Sequence, residues 1–215
     1  MIDGRRVLPS AREQGLQLAY ELARKELAGT GNVEEQCRKG GVRYMAPDRM
    51  IVDYLNGTYL VTIPDVEILL EGSKEEVPLR DKILILHYLT SAKGTPTAGV
   101  LVTYRQLPGG ASYFPAFDQR AIQPLLRHFG KEPEVLVDAA AKLGGHKANY
   151  GDVSVTINGF PRVPVTLVLW RGDDELAPGG SILFDASISD YLSTEDISVL
   201  CEVITWRLIK SSPRL

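Results

Sequence analysis

Apolar residues recur at helical spacing from Leu16 through Tyr20, Ala23 and Leu27, after Ser10 and Glu13 have set up a reciprocal cap and before Gly29 supplies a stop. This pattern predicts an amphipathic helix over residues 10–28. Asn32 with Glu35 repeats the cap on a smaller scale, and Gly40-Gly41 closes a short second helix that carries Cys37. The period then drops to two. Residues 49–55 and 58–63 are rich in β-branched and aromatic side chains, and they flank Asn56-Gly57, a pair that favours a tight hairpin.

A short strand over 66–70 follows, then a strongly apolar helix over 82–92, introduced by Pro78 and Asp81 and closed by Gly94. Residues 99–107 read as a strand, and 108–117 as a Gly-Gly-aromatic loop leading into a helix capped by Asp118, with Pro124 near its first turns or kinking it. A helix over 134–143 ends at Gly144-Gly145. Residues 153–158 and 163–170 make a second antiparallel hairpin across Asn158-Gly159-Phe160-Pro161, and 181–186 a further short strand. The last helix begins at Ser193-Thr194, with Glu195 and Asp196 against its positive end and Ile197, Leu200, Ile204 and Leu208 as its core stripe. The expected fold is α+β: a largely antiparallel sheet built from two hairpins, with flanking helices, in a single domain over 1–215 with room for two lobes.

Composition narrows the function classes. With 215 residues, 44% hydrophobic and 24% charged, the chain has the make-up of an ordinary globular protein. A net charge of −3 argues against a general nucleic-acid binder, which needs a clustered excess of Lys and Arg. No stretch approaches the ~20 apolar residues that span a bilayer, and Met1-Ile2-Asp3-Gly4-Arg5-Arg6 lacks the apolar core of a signal peptide, so a cytoplasmic location is expected. Cys37 and Cys201 stand without CxxC or Cys/His spacing and read as reduced structural thiols. The P-loop, GxGxxG, GxSxG, HExxH and EF-hand patterns are absent. His87, His128 and His146 are too scattered to suggest a His-rich metal site.

The candidate chemistry therefore rests on clusters rather than motifs. Residues 172–206 contain no Lys or Arg. Within them Asp173, Asp174 and Glu175, at a strand end, are candidates to converge with Asp185 on Mg²⁺ or Ca²⁺, hard ions that take carboxylate oxygens. The alternative is a solvated loop with helix-capping acids, and for Asp185 a carboxylate tied to backbone amides. Tyr113 and Phe114, in the segment Gly109-Gly110-Ala111-Ser112-Tyr113-Phe114-Pro115-Ala116-Phe117, are candidates to clamp a flat ligand. His146 and Lys147, after Gly144-Gly145, suit an anionic group, and Trp170 offers a further ring beside the acidic run.

Leu86-His87-Tyr88-Leu89, Tyr104-Arg105-Gln106-Leu107-Pro108-Gly109-Gly110, Trp170-Arg171-Gly172-Asp173-Asp174-Glu175, Ile182-Leu183-Phe184-Asp185 and Tyr191-Leu192-Ser193-Thr194-Glu195-Asp196 occur in this order along nearly the whole chain. This set resembles the bacterial and archaeal domain-of-unknown-function family 3786. The resemblance implies no activity; it implies a setting in anaerobes, in redox or corrinoid-linked metabolism. Three functions compete: an accessory protein that binds a cofactor or a partner protein, a metal-dependent enzyme using the carboxylate cluster, and a structural homo-oligomer.

Overall fold

A computed structural model of the chain describes residues 10–212 with the exception of Asp174, and of Arg12 the backbone alone. The chain opens with α1 (Ala11–Ala28), whose Ser10 accepts from the Glu13 amide while the Glu13 carboxylate accepts from the Ser10 amide, the reciprocal cap the sequence predicts. The short α2 (Val33–Gly40) ends at Gly41, whose φ of 64° is the left-handed conformation that glycine adopts without a Cβ clash.

The strands form two sheets rather than one. The first holds β1 (Arg43–Met45), β2 (Arg49–Tyr54), β3 (Gly57–Thr62) and β4 (Ile68–Leu70) in sequential antiparallel order. The β2–β3 turn is centred on Leu55-Asn56, both at positive φ, with Tyr54 opposite Gly57, one residue earlier than Asn56-Gly57 suggests. Leu55 is buried, and its amide donates to the Gly159 carbonyl at 3.2 Å, which joins the first sheet to the second. That tertiary bond and the burial of the leucine hold it in a conformation unfavourable for a bulky residue.

Next comes α3 (Leu79–Ser91), then β5 (Leu101–Thr103) and a single 3₁₀ turn over Tyr104–Gln106, where a strand over 99–107 was expected. The Gly-Gly-aromatic segment is helical: α4 (Gly110–Phe117) runs without a break through a π turn at Asp118–Ile122 into α5 (Gln123–Phe129), so Asp118 lies inside a helix and caps nothing. After α6 (Val135–Ala141), the edge strand β6 (His146–Ala148) stands where the sequence suggested a turn. β7 (Val153–Phe160) and β8 (Val163–Trp170) pair through a two-residue Pro161-Arg162 connection, with a bulge at Gly159 absorbed into the strand. β9 (Gly179–Asp185) completes the second antiparallel sheet, ordered β5-β9-β8-β7-β6, before the long α7 (Thr194–Ser211).

β7 and β8 are buried along nearly their whole length, on both faces, because helices and the first sheet cover them. One hydrophobic core runs through both sheets. It contains a file of aromatic rings: Tyr59 to Tyr54 at 5.6 Å, Tyr54 to Phe160 at 4.8 Å, Phe160 to Tyr88 at 4.2 Å and Tyr88 to Tyr191 at 6.0 Å. Three of the buried hydroxyls find acceptors: Tyr54 donates to Asp81 at 2.6 Å, Tyr88 to the Gly40 carbonyl at 2.5 Å, and Tyr191 to the Thr95 carbonyl. Arg207 donates to the other Asp81 oxygen at 2.9 Å, so the buried carboxylate ties β2, α3 and α7 together. Cys37 and Cys201 are free buried thiols, and burial pushes the Cys37 thiol up to about 11. No described helix is long and apolar enough to cross a membrane.

Candidate functional site

The acidic candidates do not meet. Asp173 lies in the turn after β8, where its Oδ1 accepts from the Glu175 amide at 2.9 Å and the Leu176 amide at 2.7 Å. These two bonds hold its carboxyl below the usual range and close the loop on itself. Asp185 stands at the other end of β9, roughly 20 Å away at about 3.3 Å per residue. Its side chain accepts four hydrogen bonds, from Ser187 N (2.9 Å), Ser187 Oγ (2.6 Å), Ala98 N (2.9 Å) and Gly99 N (2.8 Å). Burial alone would push this carboxyl up; the hydrogen bonds outweigh it and leave the group below its ordinary value. Asp174 lies outside the described residues. Among the described residues no three His, Cys, Asp or Glu side chains are grouped to hold a metal ion.

The ring and cation candidates also separate. His146 and Lys147 are adjacent on the edge strand β6, so they point to opposite faces of the sheet. His146 pairs with Thr156, which pairs with Thr166, whereas Trp170 sits at the end of β8 opposite Gly179. Phe114 is half-buried, and its face is already covered by the Arg105 guanidinium at 3.6 Å. Tyr113 is 66% exposed, against 44% for Trp170, and its hydroxyl has no hydrogen-bond partner among the described residues.

Tyr113 borders a groove of about 420 Å³ lined by Tyr104, Tyr113, Ala116, Arg120, Thr194, Glu195 and Ser198. Local sequence explains each wall. Gly109 takes a φ of 71° at the start of α4, and a Cβ on Gly110 would lie 1.9 Å from the Tyr104 carbonyl oxygen. Only glycine permits that approach, and it brings the 3₁₀ turn under the helix. Tyr104 then stacks flat on Phe117, with centroids 3.9 Å apart at 4°, and its hydroxyl donates to the Thr194 carbonyl at 3.2 Å. Burial raises the pKa of this phenol, and the Glu195 carboxylate beside it adds to the shift. Thr194 Oγ1 donates to the Pro108 carbonyl at 2.8 Å and fixes the opposite wall, the first turn of α7.

Tyr113, Ala116 and Arg120 recur at i, i+3 and i+7, and so share the helix face that borders the groove. Arg120 lies within the π turn. Pro124 has no N–H to donate to the Arg120 carbonyl, the Gln123 amide reaches back to Asp118 instead, and buried Thr205 on α7 donates to the Ala121 carbonyl at 3.1 Å. The irregular turn is thus built into the fold, and it delivers an exposed guanidinium with no hydrogen bond or ion pair among the described residues. Glu195 across the groove is likewise exposed and unpaired. Sequence reasoning placed Tyr113 and named Glu195 only as a helix-end acid; it missed Arg120. The usable signal was the spacing of Tyr113, Ala116 and Arg120 upstream of Pro124, hidden because the segment read as a loop.

A family model described as a domain of unknown function, DUF3786, matches residues 32–207. The chain belongs to this family. The match runs from α2 into α7 and takes in every residue of the groove, while α1 lies outside it. No curated protein and no solved structure matches the chain.

Proposed function

We propose that this DUF3786 protein is a binding protein, an accessory that holds a small ring-bearing ligand in the groove between α4 and the head of α7. One observation carries the reading: Tyr113 and Arg120 stand exposed on one helix face, over a groove floored by Tyr104, with no partner in the described fold. An exposed tyrosine and an unpaired arginine are both common singly; together over one concavity they are the elements of a stacking and charge-recognition site. Of the metal candidates, Asp173 and Asp185 are by contrast occupied by backbone amides, which favours binding over metal-assisted catalysis.

The test is native mass spectrometry on protein prepared anaerobically from its own source, the setting the family resemblance implies. A small molecule retained by the wild type and lost on Tyr113→Ala supports the reading. Protein that carries no added mass, or retains it equally in the Tyr113→Ala variant, counts against it.

A further inference from the structure

Resting on that reading of the groove, we infer that its ligand is an aromatic zwitterion of the amino-acid class, with its acid group on Arg120, its ammonium on Glu195 and its ring against Tyr113. The charges of the groove lead to this class. Arg120 and Glu195 line the same concavity, and neither makes a hydrogen bond or ion pair among the described residues, although the Glu195 carboxylate acts at longer range on His87 and Tyr104. Several charged pairs elsewhere in the fold do close: Arg38 with Glu35 at 2.6 Å, Lys82 with Glu76 at 2.9 Å, Lys93 with Asp190 at 2.8 Å, and Arg171 with Glu134. Two opposite charges held apart across one groove match a molecule that carries both complements.

A ligand bearing only an anion would meet the Glu195 carboxylate, and one bearing only a cation would meet the Arg120 guanidinium; each would meet a like charge it cannot answer. A zwitterion satisfies both. A guanidinium suits a carboxylate because its fork matches the two oxygens, and Glu195 accepts from an ammonium. Between these two ends lies ring surface, Tyr113 at the rim and Tyr104 at the floor, which favours an aromatic side chain over an aliphatic one. Ser198 supplies a hydroxyl on the same wall as Glu195.

Three probes with one ring and different charges test this by calorimetric titration: L-phenylalanine, phenethylamine, which lacks the carboxylate, and phenylpropanoate, which lacks the ammonium. L-Phenylalanine should bind about tenfold or more tighter than either, the size of one charged hydrogen bond. Arg120→Gln should erase its advantage over phenethylamine but not over phenylpropanoate, and Glu195→Gln should do the reverse. Phenylpropanoate or phenethylamine binding as well as L-phenylalanine would overturn the zwitterion, as would failure of all three to bind. A retained ligand of another class would still leave the groove's binding role standing, so the two readings fail separately. Both substitutions are at exposed positions, and unchanged melting of the variants confirms that binding, not folding, is being read.

Discussion

The Asp185 corner and the groove that begins directly after β5 are joined through β5 and are opposites in chemistry. Asp185 is buried and accepts four hydrogen bonds, two of them from the Ala98 and Gly99 amides that lead into β5. The groove receives Tyr104 from the turn just after β5, and there Arg120 and Glu195 make no hydrogen bond or ion pair among the described residues. The first region uses a carboxylate to fix backbone. The second keeps charged and aromatic groups disengaged on a frame that the first helps to hold. On the proposed reading, the candidate site is marked by a ring and two opposite charges left unengaged over one concavity.

The largest expected effect lies in the interior. Asp81→Ala leaves the Tyr54 hydroxyl and Arg207 without their acceptor, and should lower stability by about 3–5 kcal/mol in chemical denaturation, as breaking a buried pair does. A variant as stable as wild type would show that buried carboxylates in this fold are not its framework. Asp185→Ala should cost about 1–3 kcal/mol, since it orphans the buried Ser187 amide, while the part-buried Ala98 and Gly99 amides can turn to water. It should also weaken groove binding, because β5 loses its anchor. Mg²⁺ or Ca²⁺ should leave the melting temperature of the wild type unchanged, whereas saturable stabilisation abolished by Asp185→Asn would restore the metal reading. At the groove, Arg120→Gln should change stability by less than about 0.5 kcal/mol, the usual range for an exposed site. A larger loss would mean that Arg120 belongs to the framework and not to a site.

How much of this contrast is legible in the sequence depends on how local its causes are. The caps of α1 and α2, the β2–β3 hairpin and the core stripe of α7 follow from neighbouring residues, and they were readable. The Gly109-Gly110 pair was correctly singled out but for the wrong reason: it permits close approach of Tyr104 to a helix and does not loosen a loop. Pro115 and the neighbouring aromatics made that helix look improbable, since intrinsic propensity disfavours it and packing of Phe117 against Tyr104 and Phe184 overrides it. The sequence left Asp185 two alternatives, a metal ligand or a carboxylate tied to backbone amides. Choosing between them required the Ala98 and Gly99 amides, nearly ninety residues earlier in the chain.

The smallest expected effect is on pH dependence, and it comes from the α3 side of the groove's frame. His87 Nδ1 lies 2.7 Å from Asp196 Oδ1, in the first turn of α7, and that bond, opposed by burial, raises the His87 pKa; Glu26 and Glu195 add to it. A folded pKa above the unfolded value of about 6.5 means that the stabilisation is full below that pH and fades as pH rises through the folded value. The wild type should therefore lose a little stability between about pH 6 and pH 8 that His87→Gln does not lose, measured as the shift in denaturation midpoint. Equal pH slopes would remove His87 from the frame. The Asp185 carboxyl has the opposite sign: its contribution is present above the ordinary aspartate range of about 3.9 and is lost on acidification through its lowered folded value.

The most direct test sets the groove against the acidic loop over 172–178 in one titration. Backbone amide chemical shifts would be followed while L-phenylalanine, which carries a ring and both charges, is added to the wild-type protein. Shifts confined to Tyr104, Tyr113, Arg120, Glu195 and Ser198, and absent in Tyr113→Ala, are the expected result. Shifts gathered instead on the Gly172–Pro178 turn, or spread evenly over the surface, would contradict the groove as the binding site.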